Sequence, residues 1–324
     1  MTYSAANPQV DQLRTRVKEL LDGERIAGFI GYERASGSNL KRRPCFVMGA
    51  DLEPLVLDHL CTNGLAKYLM DYGYDEGKMG IAARGCDLLA IKRLAADHRI
   101  DRDRVVVIGI PCQGVMDPAK LKAMGINDVA KTEDQGDTFI VTSSDGETRE
   151  IDKGEALLDR CLDCGHKNPD GHDILLGEET DNTPFQAREF AGVSRIEAME
   201  VSDRYDYWKR QMDRCLRCYA CRNVCPACSC RECAFDVASP EWLGARTTLS
   251  EQQMFHFTRA MHVAGRCVGC HRCEEVCPVD IPLMELNEKL MKDIEELFAI
   301  EGAHVPRDVE PLGQFQMDDP DEFN

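Results

Sequence analysis

Two stretches of this chain share one cysteine spacing: Cys215-Leu-Arg-Cys218-Tyr-Ala-Cys221-Arg-Asn-Val-Cys225-Pro226 and Cys267-Val-Gly-Cys270-His-Arg-Cys273-Glu-Glu-Val-Cys277-Pro278. Both read C-x2-C-x2-C-x3-C-P, the spacing with which bacterial ferredoxins hold 4Fe-4S cubes. Three thiolates two residues apart wrap three irons of one cube. In the two-cluster arrangement the fourth cysteine of each run crosses to the other cube. The expected ligand sets are therefore Cys215, Cys218, Cys221 and Cys277 for one cluster, and Cys267, Cys270, Cys273 and Cys225 for its partner. Structural zinc is the competing use of such residues, but zinc sites draw on separated C-x2-C pairs, not a run of three with a trailing Cys-Pro.

The rest of the composition agrees with metal ligation. The chain has 324 residues, room for about two domains, and carries 17 cysteines. Disulfides are a poor account of so many thiols, because a core of this size needs no staples. The formal charge is −18, from 57 acidic and 39 basic residues. That excess argues against a phosphate backbone or an anionic membrane surface as partner. The first residues lack the charged start and apolar run of a signal peptide, and no apolar stretch approaches the length that spans a bilayer. A cytoplasmic protein is expected, with no nucleic acid partner and no membrane insertion.

The elements that position these cysteines fall into two halves. Val10, Leu13, Val17 and Leu20 recur at helical spacing, and Ile26-Ala-Gly-Phe-Ile-Gly reads as a strand. Residues 44–49 read as a second short strand, 64–72 as helix, and Met79-Gly-Ile-Ala-Ala as a third strand. Leu88, Ile91, Leu94 and Ala95 stripe the helix after it, and Val105-Val-Val-Ile-Gly-Ile is apolar throughout, as in a strand buried on both faces. Alternating strand and helix predicts an α/β domain with a mostly parallel sheet. A hairpin follows, turning at Asp145-Gly146.

Cys86 and Cys112 stand where two of these strands run out, the end at which open sheets usually place ligands. Cys161-Leu-Asp-Cys164 adds a C-x2-C pair, so two strand-end thiols and one pair make four candidate ligands. Gly85-Cys-Asp, Ile108-Gly-Ile-Pro-Cys-Gln-Gly and the block Cys161-Leu-Asp-Cys-Gly-His-Lys-Asn-Pro-Asp-Gly-His-Asp-Ile-Leu-Leu-Gly177 resemble the marks of the beta-subunit family of coenzyme F420-dependent hydrogenases and dehydrogenases. F420 is a deazaflavin hydride carrier. The resemblance spans roughly residues 10–300, because formate dehydrogenase-type members pair this domain with a two-cluster ferredoxin module. It implies a third 4Fe-4S cluster on Cys86, Cys112, Cys161 and Cys164. The alternative is that only Cys161 and Cys164 bind metal, borrowing from Cys45, Cys61 or the cysteines near Cys230.

The polar run 178–184 has linker composition. The expected organisation is an α/β domain over 1–178, a linker and connecting helix over 179–214, a mainly helical two-cluster ferredoxin-like module over 215–300, and an acidic tail over 301–324. A helix from about Val193 to Arg214 leads into the first cluster loop, and its Tyr205, Tyr207 and Trp208 are candidate shields for a cube. Residues 226–266 form a long insert between the two motifs. It holds Cys228, Cys230 and Cys233, read as accessory thiols, and Ser250-Glu-Gln-Gln253, read as a capping box opening a helix. His271 lies inside the second cluster loop, where its ring could donate to a cluster sulfur or face solvent. Leu283, Leu286, Leu290, Ile294 and Leu297 mark one face of a long helix.

No Walker loop, dinucleotide-binding glycine pattern, H-E-x-x-H or serine elbow is present to supply a complete catalytic apparatus. The function expected is electron transfer through 4Fe-4S clusters, as a subunit of a multi-subunit redox complex. By resemblance that complex is of the formate dehydrogenase, hydrogenase or heterodisulfide reductase kind. The alternative is an FAD-containing oxidoreductase that itself exchanges hydride with a deazaflavin or nicotinamide.

Overall fold

A computed structural model of the chain describes residues 8–36, 39–72, 77–187, 190–239, 241–244 and 246–313. The acidic tail beyond residue 313 lies outside them. The chain divides into two compact units, Met1–Ile91 with Ile100–Arg188, and Lys92–Arg99 with Glu189–Asn324.

The first unit opens with α1 (Pro8–Asp22), which buries Val10, Leu13, Val17 and Leu20, the stripe its spacing predicts. The strands that follow are β1 (Gly28–Arg34), β2 (Arg42–Val47), β3 (Leu55–Val56) and β4 (Met79–Ala83). Then come α2 (Gly85–Ala96), β5 (Val105–Gly109) and α3 (Pro118–Ala123). A hairpin sheet of β6 (Lys131–Asp134), β7 (Thr138–Thr142) and β8 (Thr148–Asp152) precedes two single-turn helices, α4 (Lys153–Ala156) and α5 (Asp159–Leu162), and the short strand β9 (Ile174–Leu175). The main sheet runs β2-β1-β4-β5-β9, with β3 also pairing β1.

The contacts β1–β4, β4–β5 and β5–β9 are parallel, whereas β2 and β3 lie antiparallel to β1. The sheet is therefore mixed around a parallel centre. Only a few residues separate β1 from β2, too short a connection for a parallel crossover. β4 and β5 are buried at every position, in keeping with their apolar runs. Between Gly64 and Tyr72 the chain forms a 3-10 helix over Ala66–Met70 in place of the expected α-helix. The polar run after Gly177 is tied back onto the loop before it. Asn182 accepts from the Lys167 and Asn168 amides at 2.9 and 3.1 Å, and Thr180 exchanges two hydrogen bonds with Asn168.

The described part of the second unit is helical: α6 (Ala191–Glu197), α7 (Val201–Asp213), α8 (Ala220–Val224), α9 (Leu249–Val263), α10 (Arg272–Glu275) and α11 (Leu283–Phe298). The expected continuous helix before the first cysteine loop is broken, because Glu200 takes an extended ψ of 150° and starts α7 anew. Trp208 and Met212 pack with Ile196 and Leu286, and Tyr207 donates to Glu285 at 2.5 Å, while Tyr205 is exposed. Trp208 and Tyr207 hold α6, α7 and α11 together. The capping box of α9 sits two residues before the expected one: the Thr248 amide donates to Glu251 Oε2 at 3.3 Å. Along α11 the buried face is Leu283, Met284, Asn287, Met291 and Ile294, and Leu297 is exposed. The expected leucine stripe thus lies partly off that face, because thioether and amide side chains fill the contact.

Candidate metal centres

The ends of β4 and β5 place the first thiols. Ala83 pairs with Gly109 in parallel register, so Cys86 and Cys112, each three residues further on, leave the sheet side by side. Asp87 is fully buried and accepts from the Arg84 amide at 3.3 Å and the Leu65 amide at 3.4 Å, fixing the first turn of α2 that carries Cys86. Cys161 and Cys164 come from α5 and the turn after it. Leu158 N donates to Val115 O at 3.0 Å, and Cys112 N to Lys167 O at 2.8 Å, so this loop is stitched to the segment holding Cys112. Burial pushes the Cys164 thiol up to about 11, with Cys86 and Cys112 adding to the rise. Cys161 goes up to about 12 for the same reason, against the pull of Arg160. The four thiols proposed for a third centre thus feel one another directly. Buried Arg84 and Arg160 border them, Arg84 lying 5.4 Å from the Tyr32 ring centre.

The two repeated motifs build matching loops. α8 and α10 each start one residue after a residue in the left-handed region, Tyr219 at φ 60° and His271 at φ 53°. Cys215 and Cys221 are raised by burial, and Cys277 and Cys218 raise them further. On the other side, Cys267 is pushed up to about 12 by burial and Cys225, and Cys273 is raised by burial with Cys225, Cys267 and Cys270 adding to it. The groupings are Cys215, Cys218, Cys221 with Cys277, and Cys267, Cys270, Cys273 with Cys225. Cys277 neighbours Cys215 and Cys221 of the first motif, and Cys225 neighbours Cys267 and Cys273 of the second, the crossing expected of a two-cluster module.

The turns after five of these cysteines share a device. Backbone amides two residues on point at the sulfurs of Cys112, Cys164 and Cys215 at 3.4, 3.4 and 3.2 Å, and the Gly269 and Ala227 amides do the same for Cys267 and Cys225. Gly114, Arg217 and Gly269 reach this geometry with φ of 102°, 48° and 62°. An amide aimed at sulfur favours the thiolate, the form that ligates metal.

Three residues of α9 were not singled out by spacing. Gln252, His256 and Arg259 are buried, and their side chains reach Cys215 O, Cys215 Sγ and Cys221 O at 2.8, 3.2 and 3.2 Å. The signal was present as polar residues at i, i+4 and i+7 of a helix otherwise rich in apolar ones. His271, in contrast, pairs with Glu288 at 3.2 Å. Cys61 is buried against Asp58, and Cys45 lies in β2 opposite Gly31. The Cys228 thiol donates to Cys225 and lowers its pKa, Cys233 hydrogen-bonds Arg222, and Cys230 is exposed.

The donor set suits thiolate-ligated clusters. Twelve thiols fall into three groups of four, and buried cations stand beside them: Arg84 and Arg160 at the first, and Arg259 near Cys221, Cys225, Cys228 and Cys273. Among the described residues no three Cys, His, Asp or Glu side chains converge closely enough for a single ion.

Residues 211–281 match the model of the 4Fe-4S dicluster domain. Over 86% of its length the chain is 23% identical to the F420-dependent formate dehydrogenase subunit beta of Methanocaldococcus jannaschii, covering 88% of that protein. It is 27% identical to the F420-dependent formate dehydrogenase 1 subunit beta of Methanococcus maripaludis, over 70% of this chain and 72% of that one. A chain of the F420-reducing [NiFe] hydrogenase complex from Methanosarcina barkeri overlaps 52% of this chain and 66% of its own length, at 17% identity and a TM-score of 0.43. Among described residues no helix is long and apolar enough to cross a membrane. By sequence the chain is thus similar to the beta subunits of F420-dependent formate dehydrogenases, and residues 211–281 match a 4Fe-4S dicluster domain.

Proposed function

We propose that this chain is the iron–sulfur electron-transfer subunit of a multi-subunit redox complex, of the kind to which its formate dehydrogenase relatives belong. The observation behind this reading is the sorting of twelve cysteines into three sets. Cys86, Cys112, Cys161 and Cys164 would hold one cluster, Cys215, Cys218, Cys221 and Cys277 a second, and Cys225, Cys267, Cys270 and Cys273 a third. A 4Fe-4S cube held in this way supplies one-electron exchange at a potential set by charge, sulfur hydrogen bonds and exposure. The chain's own residues do the rest: amides of the turns orient the sulfurs, and Arg84, Arg160 and Arg259 offset their charge. Phe255, Phe235, Tyr219 and Met284 pack around Cys221, Cys267 and Cys273, keeping water from that part of the module. Seventeen free thiols fit a reducing compartment, the cytoplasm. The partners on this reading are other redox subunits.

Anaerobic purification with iron analysis and a potentiometric titration followed by electron paramagnetic resonance tests the proposal. Roughly twelve irons per chain and reducible cubane signals are expected. Colourless protein carrying zinc would overturn it.

A second reading, an FAD-containing oxidoreductase exchanging hydride with F420 or a nicotinamide, is favoured by one feature. A cleft of about 650 Å³ opens beside Cys112, lined by His59, Arg84, Gln113 and Lys153 among others. Its size and mixed lining suit an organic cofactor. Release of stoichiometric FAD on acid treatment, with reduction of F420 by the chain alone, would favour this reading over the first.

A further inference from the structure

A buried helix stripe is ordinarily apolar. On α9 it is polar at Gln252, His256 and Arg259, and all three side chains turn to the cysteine loops. His256 alone reaches a sulfur: Nε2 lies 3.2 Å from Cys215 Sγ, while Nδ1 is buried with no hydrogen-bond partner. The ring is packed edge-on to Phe255, with ring centres 5.0 Å apart.

This geometry fixes the tautomer. A ligating sulfur only accepts, so a neutral imidazole with its proton on Nε2 donates to it. The other tautomer would set a lone pair against sulfur and bury an N–H with no acceptor.

We propose that His256 is a positioning residue that raises the reduction potential of the cluster on Cys215, Cys218, Cys221 and Cys277 relative to its neighbour on Cys225, Cys267, Cys270 and Cys273. The inference rests on the cluster assignment above. A donor to sulfur stabilises the more negative, reduced cluster and lifts its potential. Arg259 lies near thiols of both sets and moves both in the same sense. His256 meets the first set at 3.2 Å, and the second set meets Asn287 Nδ2 at the longer distance of 3.7 Å from Cys273 Sγ. His271, inside the second motif, is engaged by Glu288. The long insert between the motifs thus gives one set a shorter N–H contact to sulfur than the other receives.

The test is a potentiometric titration, followed by electron paramagnetic resonance, of the anaerobic full chain and its His256→Leu and His256→Gln variants. The Leu variant is expected to lower one midpoint by about 59 mV, a tenfold change for one electron, leaving the others in place. Gln, which keeps an N–H, should restore part of the shift. Unchanged midpoints, or equal displacement of all of them, would overturn the proposal. Should the Leu variant lose iron, wild-type protein labelled with 15N-histidine decides: a 15N hyperfine coupling on one cluster signal is expected, and its absence sinks the assignment. Protein without cubane signals would instead refute the cluster reading itself, a separate outcome.

Discussion

Gly85 lies against the backbone of the loop that carries Cys164, with no room for a side chain between them. A Cβ at position 85 would stand 2.8 Å from the His166 carbonyl carbon and 2.9 Å from the Asn168 carbonyl oxygen. The glycine is there for close approach: it brings Cys86, at the start of α2, up to the loop of Cys164. The same loop is held from the other side by Cys112 N, which donates to Lys167 O at 2.8 Å. Three elements distant in sequence therefore meet over one small residue.

Gly85→Ala should push the loop away and separate Cys164 from Cys86. The expected result is loss of about four irons per chain, with a stability cost of about 2 kcal/mol for the clash. Iron analysis and denaturant unfolding check it. Cluster signals from the second unit should be unaltered.

Cys164→Ser and Cys86→Ser separate the third centre from the ferredoxin pair. Each is expected to bring the iron content from roughly twelve to roughly eight per chain, and Cys61→Ser, which removes a thiol buried against Asp58, should leave it unchanged. An equal loss from Cys61→Ser would show that the set is drawn from the wrong cysteines.

Much of this was legible in the sequence. The C-x2-C-x2-C-x3-C-P spacing locates eight thiols because cube geometry constrains residues close in sequence. The apolar runs at 79–83 and 105–109 give the buried strands, and their ends give Cys86 and Cys112. Periodicity failed where side chains other than leucine fill the contact, as along α11, where Asn287 and the methionines are buried and Leu297 is not. It also could not show the direction of β2, which depends on the short connection from β1. The role of His256 was hidden for a different reason. It lies 41 residues from Cys215, and helical packing brings them together, whereas His271, within the motif, only looked better placed.

Acid should weaken the first unit through His59. Its Nδ1 lies 2.9 Å from Thr132 Oγ1, its ring centre is 4.7 Å from that of Phe139, and burial lowers its pKa from 6.5 to about 4. The unfolded chain therefore binds a proton that the folded one refuses between these values. The contribution is complete above about pH 6.5 and is lost as pH falls towards 4, in total on the order of 3 kcal/mol. His59→Asn should flatten this part of the stability profile between pH 7 and 5, as measured by urea unfolding. An unchanged slope would place the acid sensitivity elsewhere.

Removing iron should destabilise the second unit through Arg259. Its guanidinium is buried, donates to Cys221 O at 3.2 Å, and has Nε without a partner, and the groups that favour its charge are the sulfurs of Cys273, Cys225, Cys228 and Cys221. With clusters present the sulfurs of Cys273, Cys225 and Cys221 are anionic and compensate the cation. Stripped and protonated, they leave it nearly uncompensated, a condition that costs several kcal/mol for a buried charge. Chelation under anaerobic conditions is therefore expected to unfold α8, α9 and α10 ahead of the sheet of the first unit, a sequence that amide hydrogen exchange resolves. Arg259→Met takes away the buried charge, so its apo form should keep more of its protection in α9 than wild type. With iron bound, the same variant should show lower midpoints for both clusters of the second unit, because the cation that favoured their reduced states is gone.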